Sequence, residues 1–186
     1  MQSGIPYRRP LVKYTPGYGR SYTPPSQDIR DLVATMKLSA VREVIQGSRM
    51  IVCDDSIVRG TQLKNFTVNK LWDNGAREIH VRPACPPLMF PCIFASSTRS
   101  FGELACRRAI RAIEGRDLEN VDAYLDRQSD EYRNMVEWIR RDLNVTSLKY
   151  LPIEDMIDAI GLPESELCLY RSEEHTSELQ SHLCIS

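Results

Sequence analysis

The residue types best suited to chemistry lie together in Cys53-Asp54-Asp55-Ser56-Ile57-Val58-Arg59-Gly60-Thr61. Asp54 and Asp55 can accept hydrogen bonds from paired ribose hydroxyls and help hold a hard cation such as Mg2+. Ser56 to Thr61 leads into a predicted helix. The first backbone N–H groups of a helix have no partner within it, and its dipole favours an anion, so a phosphate fits there. Gly60 lets the backbone approach a ligand closely, and Thr61 adds a hydroxyl. Taken alone, the acids also suit a solvated strand end and the glycine a turn. The apolar run before them and the Ser-Ile-Val-Arg-Gly-Thr string after them favour a ligand loop.

The elements that must position this loop are legible around it. Met50-Ile51-Val52-Cys53 reads as a short buried strand ending at the two acids. Leu63, Phe66, Lys70 and Leu71 fall at helical spacing over 61–74, and Asn74-Gly75 stops that helix. Glu78–Arg82 reads as a second strand. Strand, loop, helix and strand make a βαβ unit, which predicts an α/β fold with a parallel sheet flanked by helices. Open sheets of that kind bind ligands at the carboxyl ends of their strands, where the loop lies.

Further elements follow from caps and periodicity. Ser39 is placed to cap a helix through Ile45, with Gly47 closing it. Ser100-Phe-Gly-Glu103 matches a capping box before a helix over 103–113. Ser129 is placed to cap a helix with Tyr132, Val136, Ile139 and Leu143 on one face. Ser147–Leu151 reads as a last strand, and Ile153–Ile160 as a helix between Pro152 and Gly161. Residues 4–28, rich in Pro, Gly, Tyr and Ser, read as a long loop.

Size and composition bound the rest. A chain of 186 residues has room for one domain with a core. A formal net charge of -1 argues against a general nucleic-acid binder, which would be clearly basic. No apolar run reaches bilayer length, so no membrane partner is expected. Met1-Gln-Ser-Gly-Ile-Pro6 lacks the pattern of an export signal, which points to the cytoplasm. The six cysteines are then expected to be reduced, and without a complete Cys-x-x-Cys pair they make a poor zinc site. Cys53, Cys85 and Cys106 read as buried or half-buried thiols.

Ile51–Thr61 resembles the loop of the type I phosphoribosyltransferases that binds phosphoribosyl pyrophosphate (PRPP). The form Asp-Asp-Ser-Ile-Val-Arg-Gly-Thr is similar to that of the amidophosphoribosyltransferase family. Gly4-Ile-Pro-Tyr7, Met36-Lys-Leu-Ser-Ala-Val-Arg42, Pro86-Pro87, Phe90-Pro-Cys92 and Asp158-Ala-Ile-Gly161 resemble the same family in the same order. The resemblance covers nearly all of 4–170. Cys53, where the family usually has an aliphatic residue, and Gln62, often threonine, depart from it without removing a ligand group.

The resemblance implies a glutamine-dependent transfer of ammonia to PRPP that opens purine nucleotide synthesis. Asp54 and Asp55 would bind the ribose hydroxyls and take part in Mg2+ binding, and Ser56, Ile57, Val58, Arg59, Gly60 and Thr61 would cradle the 5′-phosphate. Residues 13–28 would form a lid over PRPP, with Lys13, Arg20, Ser26 and Gln27 on matching positions. Many family members hold a four-iron, four-sulfur cluster on four cysteines. Cys92 and Cys168 match two of them, Arg171 stands where a third is expected, and a fourth would lie before residue 1. The glutaminase domain would lie upstream too, leaving an incomplete transferase domain over 1–170. The whole protein is expected to be a homo-oligomer.

Residues 171–186, beginning Arg171-Ser-Glu-Glu-His-Thr-Ser-Glu-Leu-Gln, resemble the translation of a sequencing-library adapter. The expectation is that this tail belongs to neither fold nor site. Two rival functions share the loop: a salvage phosphoribosyltransferase, and a regulator that senses PRPP without catalysis.

Overall fold

The computed structural model describes residues 4–13, 38–92 and 100–172. The chain divides into two compact units, one of Met1–Met50 with Gln62–Ile79 and one of Ile51–Thr61 with His80–Ser186.

In the first unit, strand β1 (Leu11–Lys13) pairs antiparallel with β2 (Leu38–Ala40), placing Val12 opposite Ser39. Ser39 is therefore a strand residue and caps nothing. The helix expected from it shrinks to α1 (Arg42–Ile45), which starts after Val41 without a side-chain cap. The pairing explains the difference, because Val41 N–H donates to the Pro10 carbonyl at 2.8 Å and holds the chain extended up to the helix. The helix over 61–74 forms, but Leu63–Val68 is wound as a π-helix, with Asn69 N–H reaching the Lys64 carbonyl five residues back. It continues as α2 (Asn69–Asp73). Gly75, at φ 84°, ends it as expected, and Asn74 Nδ2 donates to the Lys70 carbonyl at 2.8 Å. Leu63, Val68, Leu71, Ile45 and Ile79 are buried in this unit.

A sheet of order β3-β4-β5 is formed by β3 (Arg49–Asp54), β4 (Glu78–Pro83) and β5 (Ser147–Leu148). β4 and β5 are parallel, with His80 opposite Ser147 and Val81 opposite Leu148. The fold is thus α/β. β4 lies in the middle and buries alternate residues, Ile79, Val81 and Pro83. β3 was expected to be buried. It lies at the sheet edge among the described residues, and one face is open, with Ile51 49% exposed and Cys53 exposed. Cys53 therefore departs from the buried or half-buried thiol expected of it. The last strand stops at Leu148, short of Leu151.

In the second unit, α3 (Ala105–Glu114) packs on α5 (Asp130–Asp142), burying Leu104, Cys106, Ala109 and Ile110 with Met135, Ile139 and Leu143. The short helix α4 (Asp122–Leu125) buries Tyr124 beside them. The capping box at Ser100 does not form. Phe101–Glu103 is a 3-10 turn and α3 starts two residues later than expected, because the Glu103 carboxylate is drawn to Arg59 at 2.8 Å instead of back to Ser100. The cap at Ser129 does form: its Oγ accepts from Tyr132 N–H at 2.9 Å. Ser129→Ala should cost about 1 kcal/mol, lowering the melting temperature by roughly 2–4 °C in thermal denaturation. Helix α6 (Ile153–Ile160) follows Pro152 and ends at Gly161, φ 74°. Arg171 is the last described residue but one, and its carbonyl accepts from the N–H groups of Met89 and Phe90.

Candidate functional site

The loop after β3 belongs to the second unit and is held to it by backbone and side-chain contacts. The Asp54 carbonyl accepts from Ala84 N–H at 2.8 Å, continuing the β3–β4 ladder one step past the strand. The two carboxylates fold back on the chain in sequence. Asp54 Oδ1 accepts from Asp55 N–H at 3.1 Å, and Asp55 Oδ1 accepts from Ser56 N–H at 2.6 Å. In each case it is one carboxylate oxygen, Oδ1, that accepts the backbone N–H. Burial holds the Asp54 carboxyl above the usual carboxylate range; the Asp55 charge adds to this, while the Asp55 N–H opposes it.

Ile57 is the buried anchor of the loop at 2% exposure. The Cys85 thiol donates to the Pro86 carbonyl at 3.2 Å and is pushed up to about 11 by burial and by the Asp55 charge. The Val58 carbonyl accepts from Ala105 N–H at 2.8 Å, the first amide of α3. The Arg59 side chain turns to Glu103, so at this point the loop presents backbone. Both partners of that pair are about half exposed, and such pairs contribute about 0.2–1 kcal/mol. Gly60 has φ +77°, and a Cβ there would sit 3.1 Å from Leu143 Cδ2. Thr61 is exposed and begins the helical residues.

Sequence reasoning placed Asp54 to Thr61 in one loop, and the structure brings them together there. Lys13 ends β1 in the other unit. Arg20, Ser26 and Gln27 lie outside the described residues, with most of the expected lid. Cys92 is half-buried and Cys168 exposed. Among the described residues no group of three or more His, Cys, Asp or Glu side chains is placed to hold a metal ion, and no helix is long and apolar enough to cross a membrane. Glu103, read from its spacing as part of a capping box, and Arg108 and Asp142, which drew no reading, carried no signal of their contact with the loop: nothing local marks a residue that acts 44 or 49 positions away.

Behind the loop lies a buried polar pair. The Cys106 thiol is fully buried and pushed up to about 12, chiefly by burial. The Tyr150 hydroxyl near it is also raised by burial and has no hydrogen-bond partner among the described residues. A thiol that stays protonated in the fold but ionises near 9 when unfolded stabilises fully below pH 9. That contribution declines as pH rises toward 12. Cys106→Ala should therefore flatten the alkaline arm of the stability curve between pH 9 and 12, measured by urea denaturation at stepped pH.

No profile of a known protein family matches the chain. Over 167 residues it is 36% identical to the amidophosphoribosyltransferase of Mycobacterium tuberculosis H37Rv, covering 90% of this chain and 28% of that protein. It is 34% identical to the enzyme of the same name from Methanothermobacter thermautotrophicus, covering 89% and 29%. Its structure matches glutamine PRPP amidotransferase from Bacillus subtilis, solved with ADP and GMP. That match has a TM-score of 0.63 at 32% identity, covering 93% of this chain and 33% of that one. The chain thus spans less than a third of the length of the relatives it matches.

Proposed function

We propose that this chain, a homologue of one segment of the amidophosphoribosyltransferases, is the part of such an enzyme that grips PRPP. The whole protein would convert PRPP, glutamine and water to 5-phosphoribosylamine, glutamate and pyrophosphate, the first step of purine biosynthesis. The observation that carries the reading is the Asp54–Thr61 loop: two adjacent carboxylates at a strand end, each accepting a backbone N–H on Oδ1, followed by a glycine turn at φ +77°.

In this reading Asp54 and Asp55 accept from the ribose hydroxyls and fix the sugar. The turn through Ser56, Val58, Arg59, Gly60 and Thr61 takes the 5′-phosphate, with Ile57 anchoring it from below. At the sugar's C1, the bond to pyrophosphate breaks as ammonia forms the new C–N bond and then loses a proton. Holding both ends of the ribose supplies positioning, which is where much of such a barrier is met. Lys13, Arg20, Ser26 and Gln27 are assigned to closure over the substrate and exclusion of water.

Two neighbouring carboxylates suit Mg2+, which takes one or two carboxylates plus substrate phosphates and water. Asp54 and Asp55 would hold it, and the ion would neutralise charge on the leaving pyrophosphate. The described residues do not fit an iron–sulfur cluster. Cys92 and Cys168 supply two thiolates where four are required, and Arg171 occupies the third position. No step is assigned to a cluster. For the whole protein the reading carries a cytoplasmic setting and a homo-oligomer.

The test is calorimetric titration of the intact protein with PRPP, with and without Mg2+. Saturable binding that needs Mg2+ is expected. Absence of heat at millimolar PRPP, in protein shown to be folded by circular dichroism, sinks the reading.

A further inference from the structure

We infer that Arg108 and Asp142 are positioning residues for the candidate phosphate loop, clamping its Arg59–Gly60 turn from two helices at once. Arg108 Nη2 donates to the Arg59 carbonyl at 3.0 Å and to Asp142 Oδ2 at 3.1 Å, one hydrogen to each acceptor. Arg108 belongs to α3 and Asp142 ends α5, so one guanidinium ties the turn to the packed helix pair. Both side chains are about two-thirds buried, at 33% and 29% exposure, where a charge-assisted bond is screened less than at the surface. Arg108 Nε is buried without a hydrogen-bond partner among the described residues. An orphaned buried donor costs free energy, so its placement is maintained by the bonds made at the other end of the guanidinium.

Two further contacts act on the same turn from the same elements. Ala105 N–H on α3 donates to the Val58 carbonyl, and Leu143, next to Asp142, fills the space over Gly60. The turn is thereby held at its Val58 and Arg59 carbonyls. A loop that takes a phosphate on backbone groups depends on holding those groups in place before the ligand arrives. Lysine cannot replace Arg108, because an ammonium lacks the planar fork that fixes the direction of each donor.

The consequence for PRPP rests on the reading proposed above, whereas the clamp itself does not. The test therefore has two arms, both on the intact protein: amide hydrogen exchange at Arg59, Gly60 and Thr61 without ligand, and PRPP titration with Mg2+. Arg108→Gln and Asp142→Ala should each speed exchange at those amides about tenfold and weaken PRPP binding about tenfold, the scale of one lost charged hydrogen bond. Asp142→Asn, which keeps an acceptor oxygen, should lie much closer to the parent, and the Arg108→Gln/Asp142→Ala pair should be no worse than either single variant. If the loop amides exchange as in the parent while circular dichroism shows the variants folded, the clamp is overturned. If exchange rises but PRPP binds equally to parent and variants, the clamp stands and its link to ligand affinity is overturned. If the parent binds no PRPP yet exchange rises in the variants, the clamp stands and the PRPP reading falls.

Discussion

Asp55→Asn is expected to weaken PRPP binding about a hundredfold while leaving the unliganded fold unchanged. Asparagine keeps the oxygen that accepts from Ser56 N–H at 2.6 Å, so the turn into the loop survives. What it loses is the charge. A hydrogen bond to a charged group contributes about 1.5–3 kcal/mol. Losing that strength on a ribose hydroxyl, together with a share of Mg2+, reaches the ~2.7 kcal/mol that corresponds to a hundredfold. Asp54→Asn should show the same loss of affinity together with a gain in stability that Asp55→Asn lacks. Burial and the Asp55 charge disfavour the Asp54 carboxylate, so removing its charge should raise the melting temperature. Calorimetry and thermal denaturation on the same two variants check both halves. Unchanged PRPP affinity in either one removes that residue from the site.

Gly60→Ala has the next largest expected effect, and it acts through geometry. At φ +77° an alanine meets the left-handed penalty of about 1–2 kcal/mol. Its Cβ would also sit 3.1 Å from Leu143 Cδ2, so that side chain or the turn must give way. Gly115 supplies the control, since it has φ +72° with nothing within 4 Å of a Cβ. Gly115→Ala should therefore lose stability through the backbone alone, and Gly60→Ala should lose more. Only Gly60→Ala should also weaken PRPP binding, by more than tenfold, because only there does the displaced backbone belong to the loop. Equal stability losses for the two would remove the Leu143 contact from the account. Equal PRPP affinities would remove the Gly60 turn from the phosphate site.

The local parts of this molecule were legible without its structure. The Asp54–Thr61 loop, the strand before it, the helix ended by Gly75, the cap at Ser129 and the helix between Pro152 and Gly161 all formed. Each depends on signals within a few residues: a cap, a glycine with positive φ, a proline, or a repeat of apolar positions. Those forces act over one or two turns of chain, so the sequence carries them directly.

What sequence could not determine was which distant groups compete for the same side chain or cover the same face. Glu103 had the spacing of a capping box, yet it pairs with Arg59, 44 residues away. Ser39 had the type of a helix cap, yet the pairing of β1 with β2 makes it a strand residue. The apolar run at Met50–Cys53 promised a buried strand, but its position at the sheet edge leaves Ile51 half exposed. Arg108 and Asp142 look like ordinary helix-surface charges until α3 and α5 pack and carry them to the Arg59 carbonyl. The amino-acid sequence by itself determined the chemistry the loop can offer, because that chemistry resides in adjacent residues. Only the tertiary structure decided how firmly the loop is held, because the groups that hold it come from helices far along the chain.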